Sequence, residues 1–319
     1  MPRRWPAWTA RPSARAAIAA AAMLALAVPE WLHSDPRIGI GIERGSVPAA
    51  ACDYIAASGV RGRGFNQFRL GGYLLWRFWP ERSRLPFMDI HQAGTPGIRA
   101  AYVDALTRDG GWAALDRRFR FDYALLQRPQ VPGDRMLDAL DADPAWVLVF
   151  VDDAAALYVR RAGPLAALAA RDGYRRIAGG ERAITALATA CGADSALRAE
   201  VGGELARVRA RSGWSALALS FIANIALAEG RPDRARAALD SALAIDPATP
   251  RAHERLGLAA LMSGEPNVAI VELELERHRG GAAVAADVAL GMAYAQAGYA
   301  ARARRAYGRA LARDPGNAQ

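Results

Sequence analysis

Two short acidic motifs are the first candidates for chemistry in this sequence. Asp89 and His91 lie two residues apart at the end of an apolar run, so they would share one face of a β-strand. A carboxylate and an imidazole on one face could bind a metal or act as a general base in a hydrolase. No third ligand is recognisable beside them, and the pattern favours a strand-end carboxylate that accepts hydrogen bonds from loop amides.

Asp152 and Asp153 form the second motif. Adjacent side chains on a strand point to opposite faces, so the two carboxylates are poor partners for one acid–base or metal site. They separate two apolar runs, residues 146–151 and 155–159. This pattern predicts a β-hairpin with both aspartates in its turn.

The remaining motifs fit no catalytic or cofactor-binding pattern. Gly59, Gly62 and Gly64 match neither the dinucleotide-binding nor the P-loop spacing, which leaves them as turn glycines. The serines lack the context of a nucleophile elbow. We therefore predict that the protein is not an enzyme, and we expect no cofactor and no bound metal.

The two cysteines, Cys52 and Cys191, lie in different segments and have neither CxxC nor Cys/His spacing, which disfavours zinc. Two buried free thiols are the favoured prediction. The alternative is a disulfide, which would require a location outside the cytoplasm and Cα atoms within bonding reach.

The net charge of +9 does not indicate nucleic-acid binding. All 41 basic residues are arginine, and alanine and glycine are abundant, which is typical of a genome-wide base composition. The arginines alternate with acidic residues, as in Arg231-Pro232-Asp233-Arg234, and form no basic stripe with interleaved aromatic residues. Nucleic acid is therefore not a predicted partner.

The N-terminus carries a membrane-insertion pattern. Four arginines and no acidic residue precede Glu30, and residues 16–28 are uncharged. This run is shorter than the roughly 20 residues that span a bilayer, so it favours a signal peptide cleaved after Ala27 over an uncleaved anchor extended through Trp31. A soluble alanine-rich helix is the third alternative.

Residues 1–35 are accordingly predicted to be a signal peptide or membrane anchor with a hydrophobic helix. Both membrane alternatives place the rest of the chain on the far side of the membrane. We expect a protein that is anchored in the inner membrane or secreted to the periplasm, with the bulk of the chain extracytoplasmic.

Residues 36–163 alternate between strand and helix patterns. The predicted helices span residues 48–58, 70–78, 98–107, 112–119 and 136–140, and the predicted strands span residues 64–66, 85–90, 123–126, 146–151 and 155–159. Such alternation predicts a small α/β domain with a mostly parallel sheet and an antiparallel edge.

A set of short motifs in this domain resembles a known family. They are Gly39-Ile40-Gly41, Gly62-Arg63-Gly64-Phe65-Asn66, Gly71-Gly72-Tyr73-Leu74 and Trp76-Arg77, followed by Pro80 and Asp89. This pattern resembles the extracytoplasmic tail of bacterial polytopic glycosyltransferase-like membrane proteins, of the dolichyl-phosphate-mannose mannosyltransferase type. Their Asp-Gly-Arg sequence is here Asp89-Ile90-His91, and their transmembrane helices and acidic catalytic loop are absent.

The resemblance therefore does not imply transferase activity. It implies an accessory or remnant domain of a lipid-linked glycosyltransferase system, which would recognise a sugar or a polyprenyl phosphate. The candidate ligand site in the α/β domain consists of Asn66, Arg69, Asp89 and His91.

Residues 216–315 contain three copies of one unit, which begin at Ala216, Pro250 and Val284. Pro247, Gly281 and Pro315 recur with a 34-residue period (281 − 247 and 315 − 281). The eighth residues of the copies, Ala223, Gly257 and Gly291, are all small, and large apolar residues recur beside them. Small residues at a fixed position indicate close approach of two helices in each unit.

This pattern resembles the tetratricopeptide repeat, a helix–turn–helix unit of the same length. Residues 216–319 are therefore predicted to form an all-α solenoid of three repeats. Residues 164–215 are predicted to be a helical linker that caps the first repeat, because stacked repeats bury their apolar faces only against neighbours.

In this family the first helices of the repeats line a concave groove that usually binds peptides. The groove positions are Leu217, Ser220, Asn224, Leu227, Arg251, Glu254, Leu258, Leu261, Met262, Val288, Met292 and Gln296. Asn224 lies where a family clamp asparagine often holds a peptide backbone, but the lysine-rich carboxylate clamp is absent. An apolar groove with a mixed rim predicts an amphipathic helix or an apolar segment as ligand. In the alternative, some of these residues pack against a following helix.

The sequence thus predicts a protein–protein interaction scaffold in the bacterial envelope, with a protein or peptide partner in the groove and the membrane as a second partner. The alternatives are the glycosyltransferase accessory domain and a hydrolase that uses Asp89 and His91. No obvious capping helix follows the last repeat, which predicts cover by a partner or by a second copy of the chain.

Overall fold

The computed structural model describes residues 11–32, 45, 47–89, 91, 94–128, 135–280 and 284–314, without the side chains of residues 26–32. The chain forms two compact units, residues 1–43 and 44–319. The Gly39-Ile40-Gly41 motif and Pro315 lie outside the described residues.

The described part of the first unit is a single helix, α1 (Pro12–Leu32), which contains the predicted apolar run. None of the described helices is long and apolar enough to cross a membrane. The prediction of a hydrophobic N-terminal helix is therefore corrected to a helix whose uncharged stretch, between Arg15 and Glu30, is too short to form a span.

The second unit contains a four-stranded mixed sheet. Its strands are β1 (Gly64–Asn66), β2 (Tyr123–Gln127), β3 (Trp146–Val151) and β4 (Ala155–Arg160), in the order β1-β2-β4-β3. The β1–β2 pair is parallel, and the β2–β4 and β3–β4 pairs are antiparallel. The prediction of a mostly parallel sheet is wrong because β4, the second strand of the hairpin, inserts next to β2.

The strand predicted at residues 85–90 is absent over residues 85–89. The side chain of Asn66 takes the place of the backbone hydrogen bonds that a neighbouring strand would form with this segment. Its Oδ1 accepts hydrogen bonds from the Phe87 N–H (2.7 Å) and the Met88 N–H (3.3 Å), and its Nδ2 donates to the Met88 carbonyl (2.7 Å). These bonds satisfy the backbone of the segment without a neighbouring strand.

The predicted helices of this region are present close to their predicted ends. They are α2 (Ala49–Ser58), α3 (Phe68–Phe78), α4 (Pro96–Thr107), α5 (Gly111–Phe119) and α6 (Arg135–Ala142). A further helix, α7 (Ala166–Asp172), begins the region predicted as a helical linker. Local signals set their ends. The Thr95 hydroxyl accepts from the Ile98 N–H at the start of α4, and Gly59 takes the left-handed conformation (φ 74°) that ends α2.

Apolar side chains bury both faces of the sheet. Along β2, Ala124 and Leu126 point into one core, and Tyr123 and Leu125 point into the other. The first core is covered by α4, α5 and α6, and the second by α2, α3 and α7. This double cover explains the near-continuous apolar runs of the strands.

Two longer helices, α8 (Glu181–Ala193) and α9 (Ser195–Arg211), follow the sheet region. Val201, Leu205 and Val208 form the buried apolar face of α9 and lie in the same core as one face of the sheet. Both helices also contact the next helix, α10 (Ala216–Ala228). The domain boundaries at residues 163 and 215 stay predictions, because this core continues from the sheet into α10.

The C-terminal region forms three helix pairs, as the repeats predict. After α10 come α11 (Pro232–Ile245), α12 (Ala252–Met262), α13 (Pro266–His278), α14 (Val284–Gln296) and α15 (Ala300–Arg313). A Cβ atom on Gly257 would lie 2.5 Å from Leu273 Cγ, and one on Gly291 would lie 2.5 Å from Tyr307 Cε1. The small eighth residue is thus required by the close contact of the two helices in each pair.

Candidate functional site

The twelve predicted groove residues lie on the first helices of the three pairs or at their ends, and differ in exposure. Arg251, Met262, Met292 and Gln296 are exposed; Leu217, Asn224, Leu227, Leu258 and Val288 are half-buried; Ser220, Glu254 and Leu261 are buried. The three buried residues pack inside the solenoid and are not accessible to a ligand. Ligand contact stays a prediction for the others.

Two methionines provide the exposed apolar surface of the candidate groove. Met262 is 48% exposed and Met292 is 44% exposed, on the first helices of successive repeats. Half-buried Leu258 precedes Met262 by one helical turn. Methionine is flexible and polarizable, so such a surface can adapt to an irregular apolar ligand.

A half-buried arginine, Arg255, connects the first helices of the first two repeats. Its Nε donates to Asn224 Oδ1 (2.5 Å), and its Nη1 donates to Ser220 Oγ (2.8 Å) and to the Pro250 carbonyl (2.8 Å). The carbonyl of the predicted clamp residue Asn224 is therefore engaged within the protein. Its amide NH2 group is the part that could donate to a peptide carbonyl.

The charge of Arg255 is held in a low-dielectric environment. Burial, followed by the nearby Arg251, lowers the pKa of Arg255 to about 10, while Glu254 and Glu276 oppose this shift. Arg255 thus remains charged at neutral pH. Sequence reasoning missed it, although Arg255 lies four residues after the predicted groove residue Arg251, a spacing that places both side chains on one helix face.

The last pair of helices is joined by a carboxylate with two arginine partners. Asp287 on α14 is buried and accepts from Arg309 Nε (2.9 Å) and from Arg313 Nη1, both on α15. Across the preceding interface, the Tyr294 hydroxyl donates to Glu274 Oε1 (2.8 Å) on α13. These contacts fix α14, which carries Met292, between its two neighbours.

The turn between β3 and β4 anchors the first helix of the solenoid. The Asp153 carboxylate accepts from the N–H groups of Ala216 (2.6 Å) and Leu217 (3.1 Å), in the first turn of α10. The predicted hairpin turn is confirmed, and its carboxylate also caps a helix N-terminus, where negative charge is favoured. Sequence reasoning missed this contact because its partners lie more than sixty residues apart.

Asp152 completes this junction. Its Oδ1 accepts from the N–H groups of Ala154 (2.9 Å) and Ala155 (2.8 Å), and the Ser212 hydroxyl donates to its Oδ2 (2.9 Å). Burial raises the pKa of both carboxyls, that of Asp153 to about 6, although the hydrogen bonds act in the opposite direction.

The candidate ligand site of the α/β region is not assembled by direct contacts. Asn66 is buried and bonded to the backbone of Phe87 and Met88, which gives it a structural role. Asp89 Oδ1 accepts from the His91 N–H (2.8 Å), as expected for a carboxylate bonded to loop amides. Arg69 is exposed. Ligand binding by these residues stays a prediction.

We looked next at possible metal ligands and at the two cysteines in the described part of the chain. Among the described residues, no three His, Cys, Asp or Glu side chains are grouped to hold a metal ion. Cys52 and Cys191 are both free and buried. Burial raises the pKa of the Cys52 thiol to about 12, which disfavours the reactive thiolate at neutral pH.

An open cleft of about 570 Å³ lies at the end of the sheet where β1 and β2 begin. Four arginines and two aspartates line it, and both aspartates bind groups of the protein itself. Arg160 Nη2 donates to both carboxylate oxygens of Asp116 (2.6 and 2.7 Å), and Asp122 Oδ2 accepts from the Arg63 N–H (2.8 Å). This arrangement stabilises the sheet edge and does not define a chemical reaction.

These contacts define a helical-repeat solenoid fixed to a mixed α/β region. In a comparison with known families, residues 216–261 match the tetratricopeptide repeat. This match covers α10, α11 and nearly all of α12, and it confirms that part of the sequence prediction. The resemblance of the preceding region to a glycosyltransferase tail gains no support from it.

Among solved structures, the chain is similar to one described as the crystal structure of MamA protein. The two share 20% sequence identity, with a TM-score of 0.33, and the similarity covers 43% of this chain and 82% of that chain. None of the curated proteins compared with this chain matches it significantly.

Proposed function

We propose that this protein is a non-enzymatic scaffold that binds a partner protein in the groove formed by α10, α12 and α14. The observation that carries the proposal is the family match at residues 216–261, together with exposed methionines on the first helices of two successive repeats. Repeats of this type generally bind protein partners, and exposed apolar side chains on such a surface favour an interaction site.

The proposed ligand is an amphipathic helix or an apolar segment. Met262 and Met292 would contact its apolar side, and half-buried Leu258 would extend that contact. The Asn224–Arg255 pair lies on α10 and α12 and would provide a polar end that orients the segment. Recognition by spaced apolar anchors in a groove needs no reacting group, which agrees with a binding function.

The test is capture of partners by the full chain, tagged at the C-terminus, from its native membrane fraction. A variant with Asn224→Ala, Leu258→Glu and Met292→Glu should lose the groove partner, because it removes the polar contact and charges the apolar surface. The matched control is Val271→Glu, which places a charge on an exposed apolar position of α13, a second helix.

Mass spectrometry would compare the captured proteins after circular dichroism confirms that each variant is folded. A partner held by the wild type and the control, and lost by the groove variant, supports the proposal. If all three forms retain the same partners, the groove is not the binding site.

We further propose that the scaffold acts in the bacterial envelope. The support is the basic N-terminus followed by the uncharged run at residues 16–28. Protease treatment of spheroplasts should degrade the repeats without lysis if they lie outside the inner membrane. Protection of the repeats until the cells are lysed would contradict this location.

The second partner that we propose is another copy of the chain, bound through the last repeat. Leu311 is exposed on α15, the last described helix, and offers an apolar contact there. Leu311→Glu should reduce any dimer that analytical ultracentrifugation detects for the full chain. A dimer that this variant leaves unchanged would place the contact elsewhere.

A further inference from the structure

Helix α3 is apolar on the side that faces the protein and aromatic on the side that faces solvent. Leu70, Leu74 and Phe78 are buried in the core under the sheet. On the outer side, Trp76 is 70% exposed, and Trp79 directly after the helix is 69% exposed. Large apolar rings exposed beside one another on a protein surface mark an interaction site.

The outer side forms one continuous surface, which we call the α3 aromatic face and define as Phe68, Tyr73, Trp76 and Trp79. Phe68 and Trp76 are eight residues apart and therefore lie near the same side of the helix. The rings of Tyr73 and Trp76 have centroids 5.2 Å apart. Gly72, which lies between Phe68 and Trp76 in sequence, has no neighbouring atom that a Cβ would meet.

Among the tryptophans whose side chains the structure describes, Trp76 and Trp79 are exposed and Trp214 is half-buried. Trp112 and Trp146 are 6% and 2% exposed and lie in the core on the other side of the sheet. The indole ring has a large apolar area and a single N–H donor, so it is stabilised where one end is apolar and the other is wet. Such a boundary exists at the surface of a lipid bilayer.

Two exposed arginines close to the face in sequence are unpaired within the described part of the chain. Residues 67–85 contain four arginines and one acidic residue, Glu81. Arg77 forms an ion pair with Asp53 on α2 (3.4 Å), and buried Arg84 forms one with Glu81 (2.9 Å). Arg69 and Arg82 are exposed and form no ion pair with the described residues. The α3 aromatic face is thus bordered by cations that would attract lipid phosphates.

We propose that the α3 aromatic face binds the surface of an anionic membrane. Trp76 and Trp79 enter the interfacial region of the bilayer, and Arg69 and Arg82 pair with the headgroup phosphates. Membrane-surface helices combine large aromatic or aliphatic side chains with basic residues in this way. The face shares no residue with the repeat groove or with residues 1–43, so it adds a lipid-binding surface to the proposed scaffold.

The test measures co-sedimentation of the full chain with vesicles of phosphatidylcholine and phosphatidylglycerol in a 3:1 ratio, beside vesicles of phosphatidylcholine alone. The Trp76→Ala/Trp79→Ala variant should bind the anionic vesicles about tenfold more weakly, because two interfacial rings are lost. Arg69→Ala/Arg82→Ala should reduce the preference for anionic over neutral vesicles. The matched control is Tyr299→Ala, which removes an exposed ring from the solenoid and should leave binding unchanged.

Because every variant retains residues 1–43, any lipid binding by that segment is common to all of them. The proposal is overturned if the double tryptophan variant binds as tightly as the wild type. It is also overturned if the wild type binds neither kind of vesicle, in which case a protein or a glycan covers the face. Equal binding to both vesicle types would overturn the role of the anionic headgroups. Capture of groove partners is measured separately, so either proposal can fail alone.

Discussion

Arg255 places a half-buried positive charge between the first helices of two repeats, and a single substitution tests what this contact contributes. Arg255→Ala should lower the free energy of unfolding by about 2–4 kcal/mol, because three charge-assisted hydrogen bonds are lost and Ser220 and Asn224 lose their partner. Equilibrium unfolding in urea, followed by circular dichroism, measures this change.

Arg234→Ala is the matched control for this prediction. Arg234 is exposed and lies 3.9 Å from Glu229 on the protein surface. Its loss should cost less than about 1 kcal/mol, as is usual for exposed ion pairs. Equal destabilisation by the two substitutions would mean that Arg255 contributes no more than a surface arginine.

Asn66 illustrates what residue type alone cannot reveal at this scale. The sequence predicts it as a ligand-binding residue through a family resemblance, but its amide bonds to the backbone of Phe87 and Met88. An amide side chain can form the same hydrogen bonds with a ligand or with the backbone of a loop. The partners lie about twenty residues away, so no local pattern distinguishes the two roles.

At the scale of helices, two glycines of the repeats should change stability in opposite directions when replaced by alanine, because one lies against a facing helix and the other does not. Gly257→Ala should destabilise the protein by about 1–3 kcal/mol, because the new methyl group would overlap Leu273 in the facing helix. Gly308→Ala, on the exposed side of α15 with no atom nearby, should stabilise it by about 0.5–1 kcal/mol through helix propensity. Thermal unfolding of the two variants checks both signs.

A stabilising effect of Gly257→Ala would mean that the first and second helices of that repeat are not in close contact. The sequence could predict this contact because the small residue recurs once in each unit. It could not predict the strand order, because β3 and β4 have equally apolar patterns. Which of the two lies next to β2 depends on packing on both faces of the sheet.

At the scale of the whole molecule, periodic features were predictable and single long-range contacts were not. The 34-residue repetition predicts the three helix pairs and the candidate groove on their first helices. The junction between the sheet region and the solenoid depends instead on Asp153 and the first turn of α10, which meet only in the folded chain. The same holds for Arg255 and Asn224, which belong to different repeats.

The sheet–solenoid junction should make stability depend on pH. The pKa of Asp153 is raised in the folded protein to about 6, above its usual value near 3.9. The folded state therefore binds the proton more tightly than the unfolded state, so this group adds stability below about pH 4. That contribution, roughly 1–3 kcal/mol, is lost as the pH rises through 6. Asp152, whose pKa is also raised, acts in the same direction.

Asp153→Asn should flatten this part of the profile, because the amide keeps one acceptor for α10 and does not titrate. Urea unfolding at pH 4, 5, 6 and 7 would give the difference between the variant and the wild type at each pH. Taking this difference cancels the opposite trend of carboxyls whose pKa is lowered, such as Asp172 and Glu274. Asp109→Asn, at a side chain that is 99% exposed, should leave the profile unchanged. Parallel profiles for the wild type and Asp153→Asn would mean that protonation at this junction does not control how firmly the first repeat is held.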